Sequence, residues 1–413
     1  METLRSFVKT VWTTNKGIQL PHPNADAVYS KPYPLYQDFE LRRLTTPENS
    51  AHIRTDFFEL YWAHLMSGTK IAHLVGWAKT LLLRRPSTVP RHLLLAYWVC
   101  ILLVLLGLIM AYRTAALKAA GSVAPFWVSL TATLFVIPAV MGILLNIVGD
   151  AARYLHVAPE NVDCRRAIRT MGVRVLKSLH RRGYDRIIVV GHSLGAVIGY
   201  DILYHTWAAF NEDKPSAGAP AYAALDALET LTASLIDGQD VEVSKFQTAQ
   251  RAYFNEMKAN GVRWRVSDFI TLGSPLAHAQ ILMARDATEL TAKSNDRELP
   301  CCPPTLEISQ HELATLRRFS YPPAAAARVP HHAAVFGPTR WTNLFFPCRA
   351  IFRGDLIGGP VQSVLGRGIR DIAVRTRLWR GFFSHTLYWT PEGGDDAHVA
   401  ALRDALDLVD LRS

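Results

Sequence analysis

Residues 186–203, RIIVVGHSLGAVIGYDIL, constrain the fold more than any other stretch of the chain. Ile187 to Val190 are four apolar β-branched residues with no polar alternation. A strand of that kind is buried on both faces, which is the condition inside a parallel sheet covered by helices. The run ends at Gly191-His192-Ser193-Leu194-Gly195 and passes into small and apolar residues that read as a helix. Strand, sharp turn and helix around G-x-S-x-G is the context in which a serine can stand exposed at the end of a sheet strand.

The rest of the chain alternates in the same way. Residues 161–183 read as an amphipathic helix, with Ile168, Met171, Val175, Leu176 and Leu179 at helical spacing and Gly183 as its stop. FELRRL (39–44), TDFFELYWA (55–63), RWRVSDFITLGSP (263–275) and CRAIF (348–352) read as strands, and residues 206–262 and 396–411 as largely helical. Residues 283–340, with CCPP, YPPAAAA and VPHH, read as an irregular lid-like excursion. The expected class is α/β, with residues 1–91 and 150–413 forming one domain around an insertion at 92–149.

That insertion is predicted from two blocks without charge, LLLAYWVCILLVLLGLIMAY (93–112) and residues 119–149. Each is long enough for a helix across ~30 Å of hydrocarbon. Their short connection makes them a transmembrane hairpin. Lys79, Arg84, Arg85 and Arg91 precede it and Arg153, Arg165, Arg166 and Arg169 follow it, against Arg113 and Lys118 between. The positive-inside bias then places the remainder in the cytoplasm of an integral membrane protein. Basic flanks beside a bilayer also account for much of the net charge of +10. Nucleic acid is excluded as a partner, because the cations form no stripe and no zinc-finger or RNP-type motif occurs. The five cysteines show no metal spacing and suit a reducing compartment.

A serine hydroxyl needs a base to become a nucleophile, and the elbow predicts the chain order Ser, Asp or Glu, then His. Of the histidines after Ser193 (His205, His278, His311, His331, His332, His385 and His398), His385 lies in the aromatic loop FFSHTLYW before the last helix. It is the expected base. Asp355 opens the glycine-rich GDLIGGP and is the expected acid; Asp268, inside a strand, is its rival. The backbone N–H of Leu194, at the helix start, would face a developing oxyanion.

With GHSLG after an apolar strand, then TLGSP, then Trp341-x-Asn343 ahead of GDLIGG, then SHTLYW, the chain resembles the lipase-like serine hydrolases of the α/β-hydrolase fold, including bacterial membrane-anchored members. The likeness spans about 150–280 and 340–395, with FFELYWAHL a weaker match. It implies Ser193 as nucleophile, Asp355 as acid and His385 as base, acting on a lipid or acyl-ester substrate, with no metal and no organic cofactor. Trp341 and Asn343 match a motif there whose expected role is core packing. The chain departs from the pattern at an early His-Gly turn, which supplies a second oxyanion N–H in such enzymes. METLRSFVKTVW reads like the helix that follows that turn, so either the chain starts downstream of the true beginning or its oxyanion hole is incomplete. A non-catalytic membrane scaffold on the same fold, and an acyltransferase with the same triad, stand beside ester hydrolysis as readings.

Overall fold

The computed structural model describes residues 2–18, 28–32, 42–66, 86, 94–121, 154, 159–213, 220–308, 317–321, 327–348, 354–355, 357–375, 384–393 and 396–409. The chain opens with helix α1 (Glu2–Val8), continued by a π-helical turn at Lys9–Thr13. Strands β1 (Tyr29–Pro32), β2 (Arg42–Thr45) and β3 (Asp56–Phe58) form a small antiparallel sheet. Helix α2 (Leu94–Ala119) and helix α3 (Pro159–His180) follow. Then come β4 (Ile187–His192), α4 (Leu194–Trp207), α5 (Ala223–Ile236), α6 (Val243–Ala259) and β5 (Val266–Leu272). Strands β6 (Arg340–Phe345) and β7 (Arg370–Ala373) and helix α7 (Ala397–Leu406) complete the frame.

Strands β4, β5, β6 and β7 form one four-stranded sheet in that order, and every pairing is parallel. His192 of β4 pairs with Leu272, which pairs in turn with Leu344 of β6. All seven residues of β5 are buried. Its side chains feed two cores by alternation: Phe269 joins a cluster with Ile198, Leu203, Phe246 and Trp341, and Ile270 and Leu272 join one with Val11, Trp12, Leu344 and Leu402. The first cluster draws on α3, α4, α5 and α6, the second on α1, its π-helical turn and α7. The protein is therefore α/β, with helices on both faces of a parallel sheet. Because the strands are parallel, the loops after β4, β5 and β6 leave from one edge, the edge at which open α/β sheets hold their ligands.

Two expectations need correction. Among the described residues no helix is long and apolar enough to cross a membrane, so the two transmembrane helices, the integral membrane location and the cytoplasmic placement drawn from them are not supported. A transmembrane hairpin needs two uninterrupted apolar helices; α2 runs on through Arg113 and Lys118, and residues 122–150 lie outside the described residues. The supposed excursion at 283–340 also contributes core: Cys302, Phe319, Ala334, Val335 and Phe336 are fully buried. The strand expected at 348–352 falls largely on residues outside the description, and β6 lies just ahead of it.

Candidate active site

Ser193 sits between β4 and α4 with φ +54° and ψ −127°, a backbone conformation that a side-chain-bearing residue adopts only when its surroundings impose it. The imposition is visible on both sides. The Ser193 N–H donates to the Leu272 carbonyl of β5 at 2.9 Å, and the Ser193 carbonyl accepts from the Ala196 N–H at 2.9 Å. A Cβ on Gly191 would come within 2.6 Å of the Ala196 Cα and the Gly195 carbonyl oxygen, so the strand can approach the helix so closely only with glycine there. Gly195 has open space instead, and the turn does not require it for steric reasons. The Leu194 N–H is the first of α4, a position with no intrahelical acceptor.

Three side chains from distant parts of the sequence form one hydrogen-bonded line. The Ser193 Oγ lies 2.8 Å from His385 Nε2, and His385 Nδ1 lies 2.8 Å from Asp355 Oδ2. The His385 side chain keeps 16% of its exposure while that of Asp355 has none, so the line runs from a half-open serine to a sealed carboxylate. An ionised carboxylate can only accept, which places the proton on Nδ1 and leaves Nε2 to receive the serine hydroxyl. Asp355 is fully engaged: Oδ2 also accepts from the Tyr388 hydroxyl at 2.8 Å, and Oδ1 accepts from the Ile357 N–H at 2.8 Å. Burial pushes its carboxyl up, but His385, the Gly358 N–H and Tyr388 together outweigh that, and the group lies below its ordinary value. Burial and the neighbouring Asp355 raise the Tyr388 hydroxyl well above its usual range, so it stays a donor.

One glycine in each of the motifs TLGSP and GDLIGG, Gly273 and Gly358, is required by this carboxylate. A Cβ on Gly273 would lie 2.7 Å from Asp355 Oδ2 and 3.1 Å from His385 Nδ1, and a Cβ on Gly358 would lie 2.6 Å from the same oxygen. Both backbones therefore close directly over the acid. Trp341 and Asn343, expected to be core, are fully buried and also polar-linked. Trp341 Nε1 donates to Thr271 Oγ1, which donates to Asn343 Oδ1; Asn343 Nδ2 donates to the Gly359 carbonyl at 3.0 Å and to Asp371 Oδ1 at 2.8 Å. Asp371 in turn accepts from the N–H groups of Val361 and Gln362. This network pins the loop that follows Asp355 to β6 and β7.

The other candidates are occupied elsewhere. Asp268 faces the opposite end of β5, where it pairs with Arg340 at 2.8 Å. His331 bonds the Thr305 carbonyl and the Ala333 N–H, His398 bonds the Thr390 carbonyl, and His205 faces Asp201. His278 is buried in the short turn after β5, His332 is exposed, and His311 lies outside the described residues. Among the described residues no cluster of His, Cys, Asp and Glu could hold a metal ion. His192, Tyr388, Gly273, Gly358 and Asp371 escaped the sequence reading; the signal available for the glycines was their recurrence beside both candidate loops. No protein-family model, no curated protein and no solved structure matches the chain.

Proposed function

We propose that the protein is a serine hydrolase that cleaves carboxylic esters through an acyl-enzyme on Ser193. The observation that carries this reading is the Ser193–His385–Asp355 line, with 2.8 Å at each link, built on a serine held at φ +54°. His385 Nε2 would take the Ser193 proton as the hydroxyl oxygen attacks the ester carbonyl. The same nitrogen would then protonate the departing alcohol, and water would release the acid by the reverse sequence. Asp355 would hold the tautomer and stabilise the imidazolium without taking its proton. The Leu194 N–H is the donor available for the oxyanion at the start of α4. The strand–serine–helix turn at the edge of a parallel sheet, followed by acid and then base in chain order, favours the α/β-hydrolase fold as its finer class.

A fluorophosphonate probe tests the reading, because it is attacked only by an activated serine. The wild type is expected to be labelled at Ser193 and to hydrolyse a short-chain p-nitrophenyl ester. Ser193→Ala is expected to lose both, and Asp355→Asn to retain labelling at a rate lower by ~10³–10⁴. An unlabelled wild type, or equal labelling of Ser193→Ala, would refute it.

A further inference from the structure

His385 stands on a three-residue 3-10 turn, Ser384–Thr386, and a turn so short has few hydrogen bonds of its own with which to hold a position. Three of the bonds that restrain it link its main chain and the Ser384 hydroxyl to their surroundings. Leu387 N–H donates to the Ser384 carbonyl at 3.0 Å, Ser384 Oγ donates to the Gly354 carbonyl at 2.6 Å, and His192 Nε2 lies 2.7 Å from the His385 carbonyl. The first is internal to the turn and the second ties it to the acid. The third ties it to the last residue of β4, the residue bonded directly to Ser193.

We propose that His192, the residue between the first glycine and the serine of the G-x-S-x-G turn, is a positioning residue that fixes the distance between the His385 imidazole and the Ser193 hydroxyl. The inference rests on the hydrolase reading and assigns to His192 no contact with the substrate. A carbonyl can only accept, so the bond requires the tautomer with its proton on Nε2. The ring is held for that task by packing: Trp389 meets it edge-on at 4.9 Å between centroids, Tyr388 lies at 5.8 Å, and the His385 ring lies tilted at 4.9 Å. Trp389 is itself fastened, since Thr10 Oγ1 donates to its carbonyl at 2.7 Å and the Phe7 ring packs edge-on at 6.0 Å. Burial, then the neighbouring His385, lower the His192 imidazole to about 4, against smaller upward pulls from its bond to the His385 carbonyl and from Asp355. It therefore remains a neutral donor above about pH 4. Nucleophile and base, far apart in sequence, are thus separated by one peptide unit and one hydrogen bond.

The test uses the full chain with two probes, a fluorophosphonate and a p-nitrophenyl butyrate assay. His192→Phe and His192→Leu fill the space without a donor. His192→Gln places a carboxamide N–H near the position of Nε2. A displacement of the base by a fraction of an ångström to an ångström is expected to lower kcat and the labelling rate of the donorless variants ~10–100-fold, with KM within about twofold. His192→Gln is expected to recover to within about fivefold of wild type. Circular dichroism selects whichever donorless variant folds. Wild-type rates in a folded donorless variant would overturn the inference. So would equal losses in His192→Gln and a folded donorless variant, which would assign the effect to ring packing. A wild type that the fluorophosphonate does not label overturns the hydrolase reading and this inference with it. A labelled wild type beside an unimpaired His192→Phe overturns the inference alone.

Discussion

Ser193 has a backbone conformation that costs of order 1–3 kcal/mol for a residue with a side chain, and it persists because its neighbours over-determine it. The two glycines of the turn contribute unequally to that. At Gly191 an added methyl would meet the main chain of Gly195 and Ala196 at 2.6–2.7 Å, and main chain in a helix start cannot step aside as a flexible side chain would. At Gly195 it would meet nothing within 4 Å, inside the first turn of α4. Gly191→Ala is therefore expected to lower the unfolding free energy by about 3 kcal/mol, the upper part of the overpacking range. Gly195→Ala is expected to leave it unchanged or raise it by up to about 1 kcal/mol through helix propensity. Urea unfolding of the two variants beside wild type makes the comparison; equal midpoints for both would show that the turn is not held by close approach.

Between elements, the informative feature is polar. Strand β6 carries Arg340, Thr342 and Asn343 in a fully or nearly fully buried setting, with partners on β5 for Arg340, on helix α6 for Thr342, and on β5, β7 and the acid loop for Asn343. That is why the strand was not legible in the sequence: buried strands are sought as apolar runs, and here hydrogen bonds stand in for hydrophobicity. Strand β7 was missed for a different reason, since it is a four-residue edge strand with only Ile372 and Ala373 apolar. By contrast β4, also at an edge of the sheet but an unbroken apolar run, β5, inside the sheet with Val266, Phe269, Ile270 and Leu272, and α3, with its clear helical period, were readable directly. The three residues of the hydrogen-bonded line could be named because each lies within a motif. Their partners His192, Tyr388 and Asp371 could not, because those contacts exist only after the sheet has aligned the loops. Asn343 is the joint between the sheet and the acid loop, and its loss leaves the Gly359 carbonyl without that donor and deprives buried Asp371 of one. Burial already raises the Asp371 carboxyl against the bonds from Asn343, Gln362 and Val361. Asn343→Ala is expected to cost about 1–3 kcal/mol of stability. Fluorophosphonate labelling is expected to slow, because Asp355 lies four residues before Gly359. Thermal melting and labelling rate measured on one preparation decide it; a lowered melt with unchanged labelling would detach the network from the site.

For the molecule as a whole, the sheet divides two cores, and the line of Ser193, His385 and Asp355 lies at the edge where they meet. Three histidines are built into that body as neutral groups. His180 bonds the Leu176 carbonyl through Nδ1 at 2.7 Å and packs between the rings of Phe210 and Trp264. His331 is 1% exposed, and His192 lies under the base loop. Burial lowers each of the three from 6.5 to about 4. The unfolded chain takes up these protons as pH falls below 6.5, whereas the native state does not until about pH 4. Unfolding is then favoured by proton uptake, so stability is fully present above pH 6.5 and is lost progressively down to about pH 4. Each histidine contributes on the order of 3 kcal/mol across that window at the conversion of 1.36 kcal/mol per pKa unit. The urea unfolding free energy is expected to fall steeply from pH 6.5 to 4. In His180→Phe, which keeps a ring between Phe210 and Trp264 and removes one titrating group, the fall is expected to be smaller by on the order of 3 kcal/mol. An identical pH slope in the variant would show that His180 is not among the groups that set it.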